Sequence, residues 1–171
     1  VLEGNIDYSP YAVKLLNDLA EILKNDIKIT LYGNFEFIEN QKKLSPLIAY
    51  NGFLKFEKVN DVMKNKIYLS LDINPACPNT VIEAISCGAP VVGFNTGALN
   101  ELVISDSGVV VPYGSDPWNL EYPDVKSLAK AILKIKENYL YYSQNARKVA
   151  EEKYSIEIMT EKYLNIIKSL I

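Results

Sequence analysis

The sequence NTVIEAISCGAPVVGF, residues 79–94, contains the pattern that decides the fold. Its first part predicts a helix over residues 79–87 that ends at Gly88, because glycine readily adopts the left-handed conformation found just after a helix. Its second part predicts a buried strand over residues 89–94. Another short apolar run, residues 66–71, precedes the helix and predicts a second strand. The segment therefore has the order strand, helix, strand.

The same alternation continues on both sides of this segment. Further strands are expected at residues 1–2, 26–31, 47–53 and 108–111, further helices at 11–24, 57–65 and 99–103, and a helical tail at 124–138, 141–153 and 156–170. Short apolar strands that alternate with helices predict a parallel sheet covered by helices on both faces. We therefore expect an α/β chain with a Rossmann-like three-layer α/β/α parallel sheet and a helical C-terminal tail, and residues 1–171 fit a single domain of this type.

Composition excludes several functional classes. The net charge is −3 and Arg147 is the only arginine, so the clustered positive charge that nucleic-acid binding requires is missing. The chain has no histidine, and Cys77 and Cys87 stand alone, which excludes the common Cys/His zinc sites and Ser-His or Cys-His nucleophilic pairs. None of the eight glycines forms a Gly-x-Gly pair, so the dinucleotide-binding fingerprint is absent. We expect no metal site and no nucleic-acid partner.

Parallel sheets bind ligands at the carboxyl ends of their strands, which directs attention to the loops at residues 4–10, 33–36 and 74–79. In the last of these, we expect Asn79 to cap the helix that follows. The backbone N–H groups of Thr80, Val81 and Ile82 would then be free to bind an anion such as a pyrophosphate. Glu83, about one turn further, is placed to accept hydrogen bonds from a ribose diol. The alternative is that Asn79 and Glu83 only stabilise the helix.

The residues that follow Asn79 favour a ligand-binding role over a purely helix-stabilising one. The run Glu-Ala-Ile-Ser-Cys-Gly-Ala-Pro-Val-Val at residues 83–92, with Gly97, Glu101 and Gly108 downstream, resembles the GT-B glycosyltransferases of family 4, the "group 1" transferases. The resemblance is good over residues 52–112 and looser over the whole chain. It implies the C-terminal donor-binding domain of a two-domain enzyme, whose N-terminal acceptor domain is absent from these 171 residues.

The resemblance also implies roles for individual residues. Glu83 resembles the second glutamate of the family's "Glu, seven residues, Glu" motif, which holds the donor ribose. The backbone at Asn79, Thr80 and Val81 resembles the pyrophosphate cradle. The other implied donor-binding residues are Gly52 and Phe53 near the base, Gly4 and Asn5 near the phosphates, and Gly33 at the end of the second strand.

Pro75 stands where the family carries the first glutamate of the pair, which normally contacts the transferred sugar. Asn74 or Asp72 is a candidate to replace it. Asn5 and Pro10 stand where many relatives carry an arginine and a lysine in the first loop. The donor phosphates would then depend on backbone N–H groups, on Lys14 or on other lysines.

The resemblance implies a hexosyltransferase-type enzyme that takes a UDP- or GDP-linked sugar, needs no cofactor or metal, and transfers the sugar to an acceptor hydroxyl with retention. The acceptor, a glycan or a lipid, would bind through the missing domain, and the isolated chain would turn over little. No catalytic residue is assigned. The resemblance implies a role in polysaccharide biosynthesis in the cytoplasm. It also makes peripheral association of the full-length enzyme with the cytoplasmic face of the membrane one possible location.

Two other readings stay open. One is a non-catalytic or degenerate nucleotide-sugar-binding domain, which Pro75 and the missing basic residues of the first loop favour. The other is a nucleotide-sugar epimerase of the same fold. Epimerases usually need a histidine and further acids, and the Cys-Gly-x-Pro-Val-Val run argues for a transferase.

Overall fold

The computed structural model describes residues 2–7 and 9–170, with the backbone alone for residues 2–5. Within these ranges the strands are β1 (Leu2–Asn5), β2 (Ile29–Asn34), β3 (Ile48–Tyr50), β4 (Tyr68–Ser70), β5 (Val91–Phe94) and β6 (Gly108–Val111). The α-helices there are α1 (Ala12–Leu23), α2 (Ile38–Lys42), α3 (Val59–Met63), α4 (Asn79–Ser86), α5 (Leu99–Leu102), α6 (Val125–Glu137), α7 (Tyr139–Val149) and α8 (Ile156–Ser169). The expected alternation of strand and helix is confirmed.

The strands form two parallel sheets that meet in the middle of the molecule. One sheet has the order β1-β2-β3 and the other the order β4-β5-β6. Strand β1 lies against β4, so the order across the molecule is β3-β2-β1-β4-β5-β6. The chain therefore changes direction across the sheet between β1 and β4, which is where open α/β sheets bind their ligands.

Helices cover both faces of the sheet, because strand β5 has apolar side chains on each face. Val92 and Phe94 pack into a core cluster with α1 and α6, whereas Val91 packs into a second cluster with α4, α5 and α7. Successive side chains of a strand point to opposite faces, so a strand that is apolar at every position must be buried on both. The three-layer α/β/α architecture expected from the sequence is confirmed.

The C-terminal end of α4 is closed by α7. Gly88 adopts a left-handed conformation at φ +71° and ends the helix, as expected. The Arg147 guanidinium donates to the carbonyl oxygen of Ser86 at 2.7 Å, and the Ser143 hydroxyl donates to that of Gly88 at 2.7 Å. These contacts satisfy carbonyl groups that a helix end otherwise leaves unpaired. The opposite end of α4 follows β4 and therefore points to the carboxyl edge of the sheet.

The predicted helical tail is present as α6, α7 and α8. The Asp124 side chain caps α6 and the Ser155 hydroxyl caps α8. The second tail helix begins two residues earlier than expected, and its end is a π-helical turn, Ala150–Tyr154. In the described ranges, no helix is long and apolar enough to cross a membrane.

Candidate functional site

Three of the predicted glycines lie side by side at the carboxyl edge of the first sheet. Gly4 in β1 pairs in register with Gly33 in β2. The Gly33 N–H donates to the carbonyl oxygen of Gly52 at 2.8 Å, and the Tyr50 hydroxyl donates to the carbonyl oxygen of Gly33 at 2.9 Å. Gly33 lies one residue inside β2 rather than at its end. This row leaves the edge without Cβ atoms, so a ligand can approach the backbone closely.

Two other predicted residues flank the glycine row. Asn5 is the last residue of β1 and pairs with Asn34; its side chain lies outside the described part of the structure. Phe53 follows Gly52, and 71% of its surface is exposed. An aromatic ring this exposed at the ligand edge is available to stack on a planar group.

The loop between β4 and α4 is held by the loop between β5 and α5. The Ala98 N–H donates to the carbonyl oxygen of Pro75 at 2.7 Å, and the Thr96 hydroxyl donates to that of Asp72 at 3.3 Å. Gly97 adopts φ +51°, and a Cβ there would overlap the carbonyl oxygen of Pro75 and lie 2.7 Å from its nitrogen. Glycine is therefore required at position 97 for the two loops to approach each other.

Pro75 is buried and puts no carboxylate at the position of the first motif glutamate. The Asp72 carboxylate accepts the N–H of Asn74 at 3.1 Å and so closes a turn of its own loop. Both side chains expected as replacements, Asp72 and Asn74, are exposed, and that of Asn74 has no such role within the described residues.

The expected cap of α4 is wrong. Pro78 occupies the capping position with an extended backbone at φ −71° and ψ 110°, and Asn79 is the first helical residue. No side chain caps this end, because a residue caps a helix only from the flanking, non-helical position. The Val81 N–H also differs from expectation, since it donates to the carbonyl oxygen of Pro78 at 3.1 Å. The Val81 side chain is fully buried, while Asn79 is exposed and Thr80 half-buried.

Glu83 lies half-buried about one turn into α4. Its carbonyl oxygen accepts the N–H of Cys87 at 2.9 Å, as in a regular helix end. Among the residues that the structure describes, its carboxylate has no hydrogen bond or ion pair. The carboxylate is therefore not used to hold the fold and is available to a ligand.

Lys14, expected as one possible partner of the donor phosphates, is held elsewhere. Its ammonium group pairs with the Asp18 carboxylate at 2.5 Å and lies 4.1 Å from the centre of the Tyr122 ring. The Tyr122 hydroxyl donates to the same carboxylate at 2.6 Å. Hydrogen bonds from Lys14 and Tyr122 lower the pKa of Asp18, so this carboxylate stays charged and retains the lysine.

Asp7 is a structural residue of this edge that sequence reasoning missed. Its buried carboxylate accepts the N–H groups of Glu36 at 2.8 Å and Phe37 at 3.1 Å, and the side-chain amide of Asn40 at 2.9 Å. It thereby fixes the start of α2 to the loop after β1. The partners are 29 to 33 residues away, whereas capping patterns in a sequence relate residues two or three apart. The signal available in the sequence was an acidic residue two positions after the end of a strand.

Replacing Asp7 with alanine is expected to lower the free energy of unfolding by about 2–4 kcal/mol at pH 7, because hydrogen bonds to a charged acceptor are lost and buried donors stay unpaired. Burial raises the pKa of Asp7, but hydrogen bonds from Asn40 and the amides of Glu36 and Phe37 outweigh it, and the pKa lies below its ordinary value of 3.8. A lowered pKa contributes stability above pH 3.8 that is lost as the pH falls through the folded-state value.

Urea unfolding of the parent and the variant at several pH values measures this contribution. The difference between them should shrink below pH 3.8. Asp61→Ala serves as the matched control, because it removes an exposed aspartate whose one ion pair among the described residues, with Lys58, is 3.8 Å long. Equal losses in the two variants would show that the buried contacts of Asp7 carry no stability.

In the described ranges, no three Cys, Asp or Glu side chains lie close enough together to hold a metal ion.

Residues 4–138 match the sequence profile of a family described as "Glycosyl transferases group 1". The chain belongs to the glycosyl transferases group 1 family. This group 1 chain is also 30% identical, over 136 residues, to a probable sucrose-phosphate synthase of Thermosipho melanesiensis; the match covers 80% of the chain and 27% of the synthase.

Solved structures with the same fold include a transferase and a protein in complex with a nucleotide sugar. The pneumococcal O-GlcNAc transferase GtfA, solved with UDP and GlcNAc, superposes with a TM-score of 0.67 and 17% identity, covering 99% of the group 1 chain and 35% of GtfA. HepE of Anabaena, solved with UDP-glucose, gives a TM-score of 0.72 and 17% identity, covering 98% and 48%. The expected GT-B type of α/β fold is confirmed. The group 1 chain spans about a quarter to a half of the length of these relatives.

Proposed function

We propose that this group 1 domain binds the nucleotide part of a UDP- or GDP-linked sugar and presents the sugar to an acceptor hydroxyl. The observation that carries the proposal lies at the carboxyl edge of the sheet. Helix α4 follows strand β4, and β4 lies beside β1, the strand that carries Gly4. The N-terminus of α4 and the row of Gly4, Gly33 and Gly52 therefore lie at the same edge. Relatives of the same fold were solved with UDP and UDP-glucose, which supports this class of ligand.

The diphosphate is proposed to bind at the N-terminus of α4. The first amides of a helix have no partner within it and form the positive end of its dipole. Since the Val81 amide already bonds to Pro78, the amides of Asn79 and Thr80 are the proposed donors. Arg147 and Ser143 close the opposite end of α4, so the helix is fixed in position from behind.

The nucleoside is proposed to lie between α4 and the glycine row. The Glu83 carboxylate, unpaired within the described part of the fold, would accept hydrogen bonds from the ribose hydroxyls. Gly52 and Phe53 would contact the base, with the exposed Phe53 ring stacking on it. Gly4, Asn5 and Gly33 would border the phosphates.

The reaction proposed is transfer of a hexosyl group. The acceptor oxygen forms a bond to the anomeric carbon and loses its proton, while the bond from that carbon to the diphosphate oxygen breaks. The diphosphate leaves with the electron pair, and oriented amides at the helix N-terminus stabilise the charge that develops on it. We propose retention of configuration and no requirement for a metal or other cofactor.

Residues 1–171 are proposed to form one donor-binding domain that needs a further domain to bind an acceptor glycan or lipid. The chain alone would then bind the donor and turn over little. The proposed setting is polysaccharide biosynthesis in the cytoplasm, with the full-length enzyme associated peripherally with the cytoplasmic face of the membrane.

One observation favours a second candidate, a domain that binds the nucleotide sugar without transferring the sugar. Pro75 removes the carboxylate that would contact the sugar, and Asp72 is engaged in its own loop. No observation favours the epimerase alternative, because the chain belongs to the group 1 transferases.

Calorimetric titration of the chain with UDP, GDP and ADP tests the proposed site. We expect saturable binding of UDP or GDP, and tighter binding of the matching sugar nucleotide if the domain also holds the sugar. Equal affinity for the nucleotide with and without its sugar would favour the second candidate. Absence of binding to all three, with the helix content of the fold retained by circular dichroism, would contradict the donor site.

A further inference from the structure

A cavity lies between α1 and α2 at the carboxyl edge of the first sheet. Its volume is about 580 Å³, which is within the usual range of small-ligand sites. Its walls come from the loop after β1, from α1, and from α2 with the residues at its two ends. We call this space the α1–α2 cavity, and its described lining includes Ser9, Pro10, Val13, Phe37, Asn40 and Lys43.

The α1–α2 cavity lies on the face of the sheet opposite to α4. Helix α1 packs with Val92, whereas α4 packs with Val91, whose side chain points to the other face. The Asn17 side chain of α1 binds the backbone of Lys43 and Ser45, so the end of α2 lies on the same face as α1. The cavity is therefore distinct from the proposed diphosphate site at the N-terminus of α4.

Ser9 contributes an unpaired hydroxyl to the wall of the cavity. Only 6% of its surface is exposed, and within the described residues its hydroxyl has no hydrogen-bond partner. A buried hydroxyl without a partner costs free energy, which a ligand that bonds to it can recover. The Lys43 ammonium and the Asn40 amide oxygen meet at 3.5 Å, which is long for a hydrogen bond. The wall therefore offers both donors and acceptors to a polar ligand.

The charges in the lining balance each other. Lys14 pairs with Asp18, and the second lysine, Lys43, balances the charge of Asp7. Hydrogen bonds keep the pKa of both carboxyl groups below its ordinary value, so both are charged at neutral pH. An anion in the cavity would meet two carboxylates, and a cation would meet two ammonium groups. The lining therefore favours a polar ligand without net charge.

The cavity also has an aromatic wall. Phe37 exposes 56% of its surface there, and an exposed ring can stack on a flat apolar face. A sugar ring has such a face, formed by its C–H groups, and its hydroxyls each donate and accept hydrogen bonds. We propose that the α1–α2 cavity binds one uncharged hexose ring. Phe37 contacts its C–H face, and Ser9, Asn40 and Lys43 bond to its hydroxyls.

In a transferase, this hexose would be a unit of the acceptor glycan that is held away from the donor nucleotide. That role rests on the proposed function, whereas binding of the hexose by the cavity does not. A chain that binds hexose but no nucleotide would contradict the donor site alone.

Amide NMR spectra of the chain during titration with glucose, galactose and mannose test the proposal. At least one hexose should shift the amides of Ser9, Asn40 and Lys43 saturably, with a dissociation constant on the order of 1 mM, which corresponds to a few hydrogen bonds and one stacked ring. Inorganic phosphate should give no saturable shift of these amides. Saturation by phosphate and by none of the hexoses overturns the proposal, as does the absence of saturation by any hexose.

Ser9→Ala should raise the hexose dissociation constant about 2- to 12-fold, the factor for one hydrogen bond. Its melting temperature should not fall, because the hydroxyl has no partner to lose within the described residues. Ser107→Ala is the matched control. Ser107 is also buried with an unpaired hydroxyl in the described part of the chain, but it directly precedes β6 and therefore lies at the amino edge of the sheet. Equal hexose affinities of the two variants would overturn the role of Ser9 in the cavity.

Phe37→Ala should raise the hexose dissociation constant at least about twofold, since it removes the stacked ring. Phe56→Ala removes a ring that is 78% exposed and lies outside the cavity lining, and should leave the affinity unchanged. Saturating UDP or GDP should leave hexose binding unchanged. Loss of the hexose shifts on addition of nucleotide would place the sugar in the donor site and overturn the proposal, as would equal affinities of the two phenylalanine variants.

Discussion

Gly97→Ala is expected to weaken nucleotide binding while leaving the chain folded. The added Cβ overlaps the carbonyl oxygen of Pro75, and position 97 has φ +51°, where residues with a Cβ are strained. The two loops must separate, so the Ala98 to Pro75 hydrogen bond is lost and the start of α4 shifts. We expect a loss of about 2–4 kcal/mol in the free energy of unfolding, which a domain of ordinary stability survives. The nucleotide dissociation constant should rise at least about tenfold.

Two other glycines separate the causes of this effect. Gly52→Ala has a similar positive φ of +68°, with nothing within 4 Å of the new Cβ, and should lose only about 1 kcal/mol of stability. Gly88→Ala, at the far end of α4 with φ +71°, should lose a similar amount and leave nucleotide affinity unchanged. If Gly97→Ala binds nucleotide as well as Gly88→Ala does, the contact between the two loops, from Ala98 to Pro75, does not shape the donor site.

Glu83→Gln is expected to weaken nucleotide binding by about 10- to 150-fold without a matching loss of stability. The factor corresponds to about 1.5–3 kcal/mol for one hydrogen bond to a charged group. The carboxylate has no hydrogen bond or ion pair within the described residues, so its removal should change the free energy of unfolding by less than about 0.5 kcal/mol. Calorimetric titration with the preferred nucleotide and thermal unfolding of the same samples measure the two effects separately.

Glu101→Gln is the matched control, since Glu101 is an exposed acid in the first turn of another short helix, α5. It removes the same charge and should leave nucleotide affinity within about twofold. An affinity of Glu83→Gln equal to that of the parent would exclude Glu83 from the ribose site. An equal loss in both variants would show that the effect comes from net charge alone.

The fold was predictable because its signal is periodic and local. The runs at residues 66–71 and 89–94 are apolar at nearly every position, which only a strand buried on both faces needs. Gly88 ends α4 as expected, because a left-handed helix end depends on one residue. Gly33 and Gly52, both expected in the donor site, lie together because a backbone hydrogen bond joins them, and their role in donor binding stays a prediction.

The contacts that the sequence did not predict depend on how the chain packs in three dimensions. Asn79 has a capping side chain, but Pro78 takes the flanking position, and no preference for single residues distinguishes the two. Asp7 and Lys14 each bind partners that sequence distance hides: α2 in the first case, and in the second the ring of Tyr122, more than a hundred residues away. The hydrogen bond from Ala98 to Pro75 was also not predictable from the sequence, since it joins two loops that follow different strands.

The way the loop before α4 is held has a consequence for how donor preference changes in evolution. Its path is fixed by the carbonyl oxygen of Pro75 and by the missing Cβ of Gly97, so the exposed side chains of Asn74, Ala76 and Cys77 contribute nothing to its shape. Substitutions at these three positions alter the chemistry that the loop presents without moving the loop. The proposed donor site can thus diversify towards different sugars after gene duplication, and a library randomised at these positions is where new donor preferences should be sought.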